Sequence, residues 1–270
     1  MQVVTGDETG LVKLVHVSDR TFLRYGETQS RAEAIKGLCW VSAEKLLVAR
    51  LDGYIITYVS DAAHTQLEGV SSLKQQAVES PCDMVRVPTT TIGREDKVLI
   101  YNATGSVCIY DPASAKVVCS GAVRGPLSAC AVSADGTRVL FGGKENDVVL
   151  YDCTDRGAFQ PIWSAKNVPQ DSLHLRVPVW ITALAFSSSS RSSGSGGNRS
   201  SSIFYAGTGY KHVRMYDMEA SQRPVISFEI PGDYRVSCLA AAVRHESGID
   251  DKSGDEDQTQ DDDDDDDDDD

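Results

Sequence analysis

LSACAVSADGTRVLFGGKENDVVLYD, residues 127–152, divides into three apolar runs and two turns. The runs LSACAV (127–132), RVLFGG (138–143) and VVLYD (148–152) are separated by SADGT and KEND. Runs of this length, bounded by Asp, Asn and Gly, predict short strands joined by tight reversals, because those residues supply the positive backbone angles that hairpins need. A second stretch has the same plan: IKGLCWV (35–41), SAEK, LLVAR (46–50), a Leu-Asp-Gly turn and YIITYV (54–59). The final phrase of each unit, a turn and then alternating apolar residues, occurs five times: GDETGLVKLVHV (6–17), ARLDGYIITYVS (49–60), YNATGSVCIYDP (101–112), GGKENDVVLYDC (142–153) and GTGYKHVRMYDM (207–218). Aligning them places Val15, Tyr58, Tyr110, Tyr151 and Tyr216 at one site, with steps of 43, 52, 41 and 65 residues. A strand-only unit repeated every 40–50 residues or so is the pattern of a β-propeller blade. The fold expected is therefore an all-β propeller over residues 1–245, its degenerate repeats ending in Tyr-Asp where Trp-Asp is familiar.

The aligned tyrosines are expected to pack between neighbouring blades, and the following Asp to accept hydrogen bonds from turn amides. The last step is long because of SSSSRSSGSGGNRSSS (187–202), which holds almost nothing to bury and reads as a flexible insertion in the hairpin between ITALAF and IFYAG. The chain opens on the second and third runs of a unit, and YRVSCLAAAV (234–243) reads as the first run of another. Two outcomes follow: a split blade that closes a five-bladed ring, or a propeller with about five blades' worth of strands and later blades absent.

The 270 residues carry a formal charge of −14, and residues 250–270 hold fifteen acids and one Lys. The tail thus accounts for the whole excess, leaving 25 basic and 25 acidic side chains in residues 1–249. A neutral body offers no net attraction to a phosphate backbone. Residues 246–270 are expected to be a disordered acidic tail, whose functional use would be to hold basic proteins in competition with RNA. Seven cysteines, with no CxxC pair and several inside strand-like runs such as LSACAV and SVCIY, read as reduced core thiols in a reducing compartment. No apolar run is long enough to cross a membrane.

Chemistry-bearing motifs are weak. GTGYKH (207–212) lacks the third Gly and the following helix of a dinucleotide loop, and GGKEN (142–146) lacks the upstream Gly and the Ser/Thr of a phosphate loop. The five His residues, 16, 64, 174, 212 and 245, have no paired metal spacing. No catalytic, cofactor or metal site is expected.

The phrases GGKENDVVLYD, SAKNV (164–168), LRVPVW (175–180), GTGYKHVRMYD and QRPV (222–225) occur in order. Together they resemble the nucleolar WD-repeat ribosome-biogenesis factors, the family of WD repeat-containing protein 74 and its fungal Nop7-associated counterpart. The resemblance covers about residues 1–245 and is densest from Gly142 to Val225. It implies a seven-bladed propeller, of which this chain would lack about two blades, acting as a non-catalytic scaffold on the precursor of the large (60S) subunit during rRNA processing. It further implies residence in the nucleus and nucleolus, with pre-60S assembly factors and ribosomal proteins as partners. Contact with rRNA inside the particle and with an AAA-type remodelling ATPase also follow from it. The acidic tail departs from the family, whose members tend to end in basic residues. Within the resembling segment, side chains too polar or too interface-prone for a plain core are the expected contacts: Lys144, Glu145, Asn146, Lys166, Asn167, Arg176, Trp180, Tyr210, Lys211, His212 and Arg223. Two other readings share the architecture, a ubiquitin-ligase substrate receptor and a propeller hydrolase with a site in the central channel.

Overall fold

The computed structural model describes residues 1–26, 29–61, 66–74, 83–87, 96–153, 159–170, 173–187 and 202–241. The Ser/Gly insertion, apart from its end residues, and the acidic tail lie outside them. The described residues form nineteen strands in five antiparallel sheets, each a meander in chain order. The first sheet has three strands, β1 (Gln2–Gly6), β2 (Val12–His16) and β3 (Thr21–Tyr25). The second holds β4 (Ile35–Trp40), β5 (Lys45–Arg50), β6 (Tyr54–Ser60) and β7 (Leu67–Lys74), and the third β8 (Asp83–Val87), β9 (Lys97–Tyr101), β10 (Ser106–Asp111) and β11 (Lys116–Ala122). The fourth comprises β12 (Ala129–Val132), β13 (Arg138–Gly143), β14 (Asn146–Asp152) and β15 (Gln160–Ser164). The fifth comprises β16 (Ile181–Phe186), β17 (Ile203–Thr208), β18 (His212–Asp217) and β19 (Ile226–Glu229).

The opening strands β1, β4, β8, β12 and β16 meet one another in chain order, so the sheets stand side by side as blades. Each of the four apolar cores accordingly lies between consecutive sheets. Val12 and Leu14 pack on Leu46 and Tyr58; Leu47 and Ile55 pack on Val98 and Tyr110. Leu99 and Tyr101 pack on Phe141 and Tyr151, and Leu140 and Leu150 on Phe204 and Tyr216. The repeated tyrosines are therefore the blade-to-blade packing residues expected of them, and Tyr58, Tyr110, Tyr151 and Tyr216 are all buried. Asp111 and Asp217 accept from the amides of Ala113 (3.0 Å) and Glu219 (3.1 Å), closing the next turn as anticipated. In the two Asp-Gly turns, Gly53 and Gly136 take φ of 84° and 70°, while Asp52 and Asp135 accept from the amides of Tyr54 and Thr137.

Two features depart from the sequence reading. Each sheet ends in a strand that the three-run scheme omitted: β3, β7, β11, β15 and β19. Where their side chains are described, they are largely exposed, so no apolar alternation marks them. The second departure is at 234–241, which forms no strand. One side chain there, Val236, is buried over Gly207, and its backbone bonds to Thr208 O (3.1 Å) and the Thr182 hydroxyl (2.5 Å).

A candidate contact rim between the fourth and fifth sheets

Most of the expected contact residues come together where the fourth sheet meets the fifth, on three segments. These are the β13–β14 turn (144–145), the link from β15 to β16 (165–180) and the β17–β18 turn (209–211). Backbone bonds sew them into one rim. Glu145 N donates to Val179 O (2.8 Å), Lys144 forms a bridge with Trp180, and Gly209 N donates to Trp180 O (2.8 Å).

Trp180 is the centre of this rim. Its ring lies edge to face with Tyr210, centroids 6.1 Å apart, and the Lys144 ammonium stands 5.9 Å from its centroid, within cation–π range. A Cβ on Gly209 would fall 2.2 Å from the indole, and one on Gly207 would fall 2.4 Å from Val236. The glycines of the GTG phrase are thus explained by close packing. Arg176 reaches Glu145 (3.4 Å), and both Lys211 (3.1 Å) and His212 (3.4 Å) reach Glu229. The Lys211 ammonium and its bonds hold the Glu229 carboxyl below the usual carboxylate range. The Thr208 hydroxyl accepts from the amides of Tyr210 (3.3 Å) and His212 (3.0 Å), shaping the turn that presents Tyr210.

Beneath the rim lies a set of polar ties. Asn167 donates to Val177 O (2.6 Å) and accepts from Arg214 Nη1 (3.1 Å), while Arg223 Nη1 donates to Asn167 O (3.1 Å). Lys166 N bonds Gln222 O (2.8 Å). The link is therefore fastened to the fifth sheet at several points, which brings Lys166, Asn167 and Arg223 into one group.

Asn146 differs from the other expected contact residues. It is 2% exposed, and its Nδ2 donates to the carbonyls of Arg124 (2.8 Å) and Pro126 (3.1 Å). It fastens the preceding link to the β14 start, and a buried amide so engaged has no face to offer a partner.

Three residues of the site escaped the sequence reading. Arg214 is 1% exposed, with its Nε unpartnered, although alternation alone assigns that position to the interior. An Arg two places before a buried Tyr was the available signal. Burial pushes the neighbouring Asp147 carboxyl up against the opposing pull of Arg176, Arg214 and Arg124. Glu229 sits in an exposed strand with no pattern to read.

Among the described residues no three His, Cys, Asp or Glu side chains are grouped to hold a metal ion. Among the same residues no helix is long and apolar enough to cross a membrane. Among the described residues six cysteines are in no disulfide; Cys39 and Cys108 are buried, and burial pushes Cys108 and Cys153 up to about 12. Cys238 is exposed, unlike the core thiols expected. Cys82 lies outside the described residues.

No family model matches the chain. Curated relatives do. WD repeat-containing protein 74 of Bos taurus is 27% identical over 268 residues, covering 92% of this chain and 60% of the relative. The Homo sapiens protein of that name is 24% identical over 257 residues, covering 88% and 58%. Ribosome biogenesis protein nsa1 of Schizosaccharomyces pombe is 32% identical over 126 residues, covering 40% of this chain and 33% of its own length. The chain thus spans 58–60% of the length of these two WD repeat-containing relatives. These relatives, a WD-repeat protein and a fungal ribosome biogenesis factor, are the family that the phrases between Gly142 and Val225 resemble.

Proposed function

We propose that this chain serves as a non-catalytic scaffold in ribosome biogenesis, acting in maturation of the 60S precursor and in rRNA processing. Its place of action is the nucleolus, and its partners are pre-60S assembly factors and ribosomal proteins. Contact with rRNA inside the particle and with an AAA-type remodelling ATPase belong to the same reading. The names of the similar proteins support the process. The observation that carries the contact surface is the rim itself: Lys144, Trp180, Tyr210 and Arg176 on three segments that backbone bonds hold together. Trp, Tyr and Arg presented on a rigid frame are the side chains that most often dominate protein interfaces. A propeller rim assembled from turns distant in sequence needs no reactive centre to do this work.

The test replaces Lys144, Lys166 and Arg176 together by Ala and follows the chain through a density gradient of cell extract. The expected result is loss of the chain from the 60S-precursor fractions while its thermal unfolding is retained, since all three side chains are exposed. Unchanged co-sedimentation would remove the rim from the reading.

A further inference from the structure

We propose that the rim between the fourth and fifth sheets docks a protein segment, and not rRNA, through an apolar centre that includes Leu173 and Leu175. The segment it fits brings an aliphatic or aromatic side chain and carries little net charge. The proposal rests on the reading of the rim as the contact surface, and it names the class of partner that the surface takes.

The first argument is what the link from β15 to β16 leaves in water. Leu173 is 74% exposed and Leu175 59%, the two most exposed leucines among the described residues. They flank His174, whose φ of 59° is a left-handed conformation that a non-glycine residue adopts only where its surroundings hold it. Arg176, next to Leu175, reaches Glu145 on the β13–β14 turn, and the carbonyls of Val179 and Trp180 accept from both turns of the rim. The leucines thus stand on the same frame as Tyr210, a ring that is 37% exposed. Leucines turned to solvent add nothing to a blade core, and together they form the kind of apolar surface that a protein partner covers. Nucleic acid, held through its phosphates and ring faces, has no use for them.

The second argument is charge. Residues 144–147, 165–180 and 209–212, with Arg223 and Glu229, hold five basic and four acidic side chains. The pairs Arg176–Glu145 and Lys211–Glu229 cancel within the rim itself. A surface this close to neutral has little field to draw in a phosphate chain, whose affinity comes from several cations acting together. Nor is Trp180 an open stacking platform. The Gly209 backbone packs on its indole, and the Lys144 ammonium stands 5.9 Å from the ring centroid. An apolar centre, an aromatic ring, an Arg and a border of paired charges are instead the make-up of a protein–protein contact.

The experiment uses the full chain and, as probe, 60S-precursor particles purified from cells depleted of it. Leu173→Ser with Leu175→Ser should weaken binding by about tenfold or more and leave the melting temperature unchanged, since both side chains face water. Lys144→Ala with Lys166→Ala should leave the slope of log affinity against log salt unchanged, whereas the loss of two phosphate contacts would reduce it by about 2. With p-benzoylphenylalanine in place of Leu173, irradiation on the particle should give an adduct whose gel mobility ribonuclease leaves unchanged. Adding Leu175→Ser and Tyr210→Ala should abolish that adduct. Full binding by the double Ser variant, a shallower salt slope for the double Ala variant, or an adduct that ribonuclease collapses would each overturn the proposal. A ribonuclease-sensitive adduct with binding intact leaves the scaffold reading standing and makes rRNA the rim's partner; a chain that does not bind the particles at all removes both.

Discussion

The seam between the third and fourth sheets and the seam between the fourth and fifth are built on one plan and filled differently. The first has an apolar core, with Phe141 edge to face against Tyr101 and Tyr151, each at 5.8 Å, and Cys119, Cys130 and Cys153 packed around it, and its buried polar tie is the uncharged Asn146 amide. The second opens with the same kind of aromatic packing, Phe204 stacked on Tyr216 at 4.8 Å and Trp163 edge-on at 5.6 Å, but it also takes in the guanidinium of Arg214. The links across the seams differ in parallel. Residues 123–128 suffice for the first, whereas the second is crossed by 165–180. The short link is held by one buried amide, that of Asn146, on the carbonyls of Arg124 and Pro126; the long one must be fastened at several points along its course, or its backbone polar groups go unpaired. Asn167, Arg214 and Arg223 supply that fastening. Burial of a poorly paired cation costs stability and yields a positioned rim. Hydrophobic seams thus set how firmly the blades hold together, and polar ties set what the edge of a seam presents.

The largest expected effect breaks the apolar seam. Phe141→Ala leaves a cavity between Tyr101 and Tyr151 and should lower unfolding stability by about 3–5 kcal/mol, read from a denaturant melt. A smaller effect is expected at the polar seam, and it has an asymmetry that the apolar one lacks. Asn167→Ala strands the Arg214 guanidinium, which is 1% exposed, and should cost about 1–3 kcal/mol. Arg214→Met removes the charge along with its need for a partner and should cost less than Asn167→Ala, as replacement of buried charges by apolar volume often does. A larger loss for Arg214→Met in paired melts would mean that the guanidinium holds the seam together, and the contrast between the two seams would fail.

Legibility in the sequence follows burial. Strands β13 and β16 were read to the residue, and β5, β6 and β14 to within two, because these opening and middle strands lie against neighbouring blades and carry dense apolar runs. The outer strands escaped because one side faces water, so Ile226 and Phe228 stand half exposed among polar neighbours. The run at 234–243 misled for the opposite reason: its apolar residues match a strand, yet only Val236 among those described is buried. Most of the rim was legible from uncommon phrases, since Trp180, Tyr210 and Lys144 lie in turns where polar and aromatic residues are not needed for the core. Asn146 was misread because a buried amide bonded to two carbonyls looks, in sequence, like any turn Asn. Arg214 was missed because its partner Asn167 lies 47 positions away, and a long-range tie has no local pattern.

The smallest expected effect sharpens the same contrast by pH. Asp147 lies beside the polar seam, and burial raises its carboxyl above the ordinary value despite Arg176, Arg214 and Arg124 nearby. A carboxyl whose folded pKa exceeds its unfolded one favours the protonated folded chain. Its ionisation penalty is therefore absent below the unfolded pKa, grows as pH rises between the two values and is complete above the folded one. Asp147→Asn should accordingly raise the melting temperature at pH 7 and leave it unchanged well below the ordinary carboxylate range. If the substitution lowers stability at neutral pH instead, the carboxylate is a needed counter-charge for the three arginines. The fourth and fifth sheets would then be joined by an ion network, and burial cost would no longer explain why this seam differs from its neighbour.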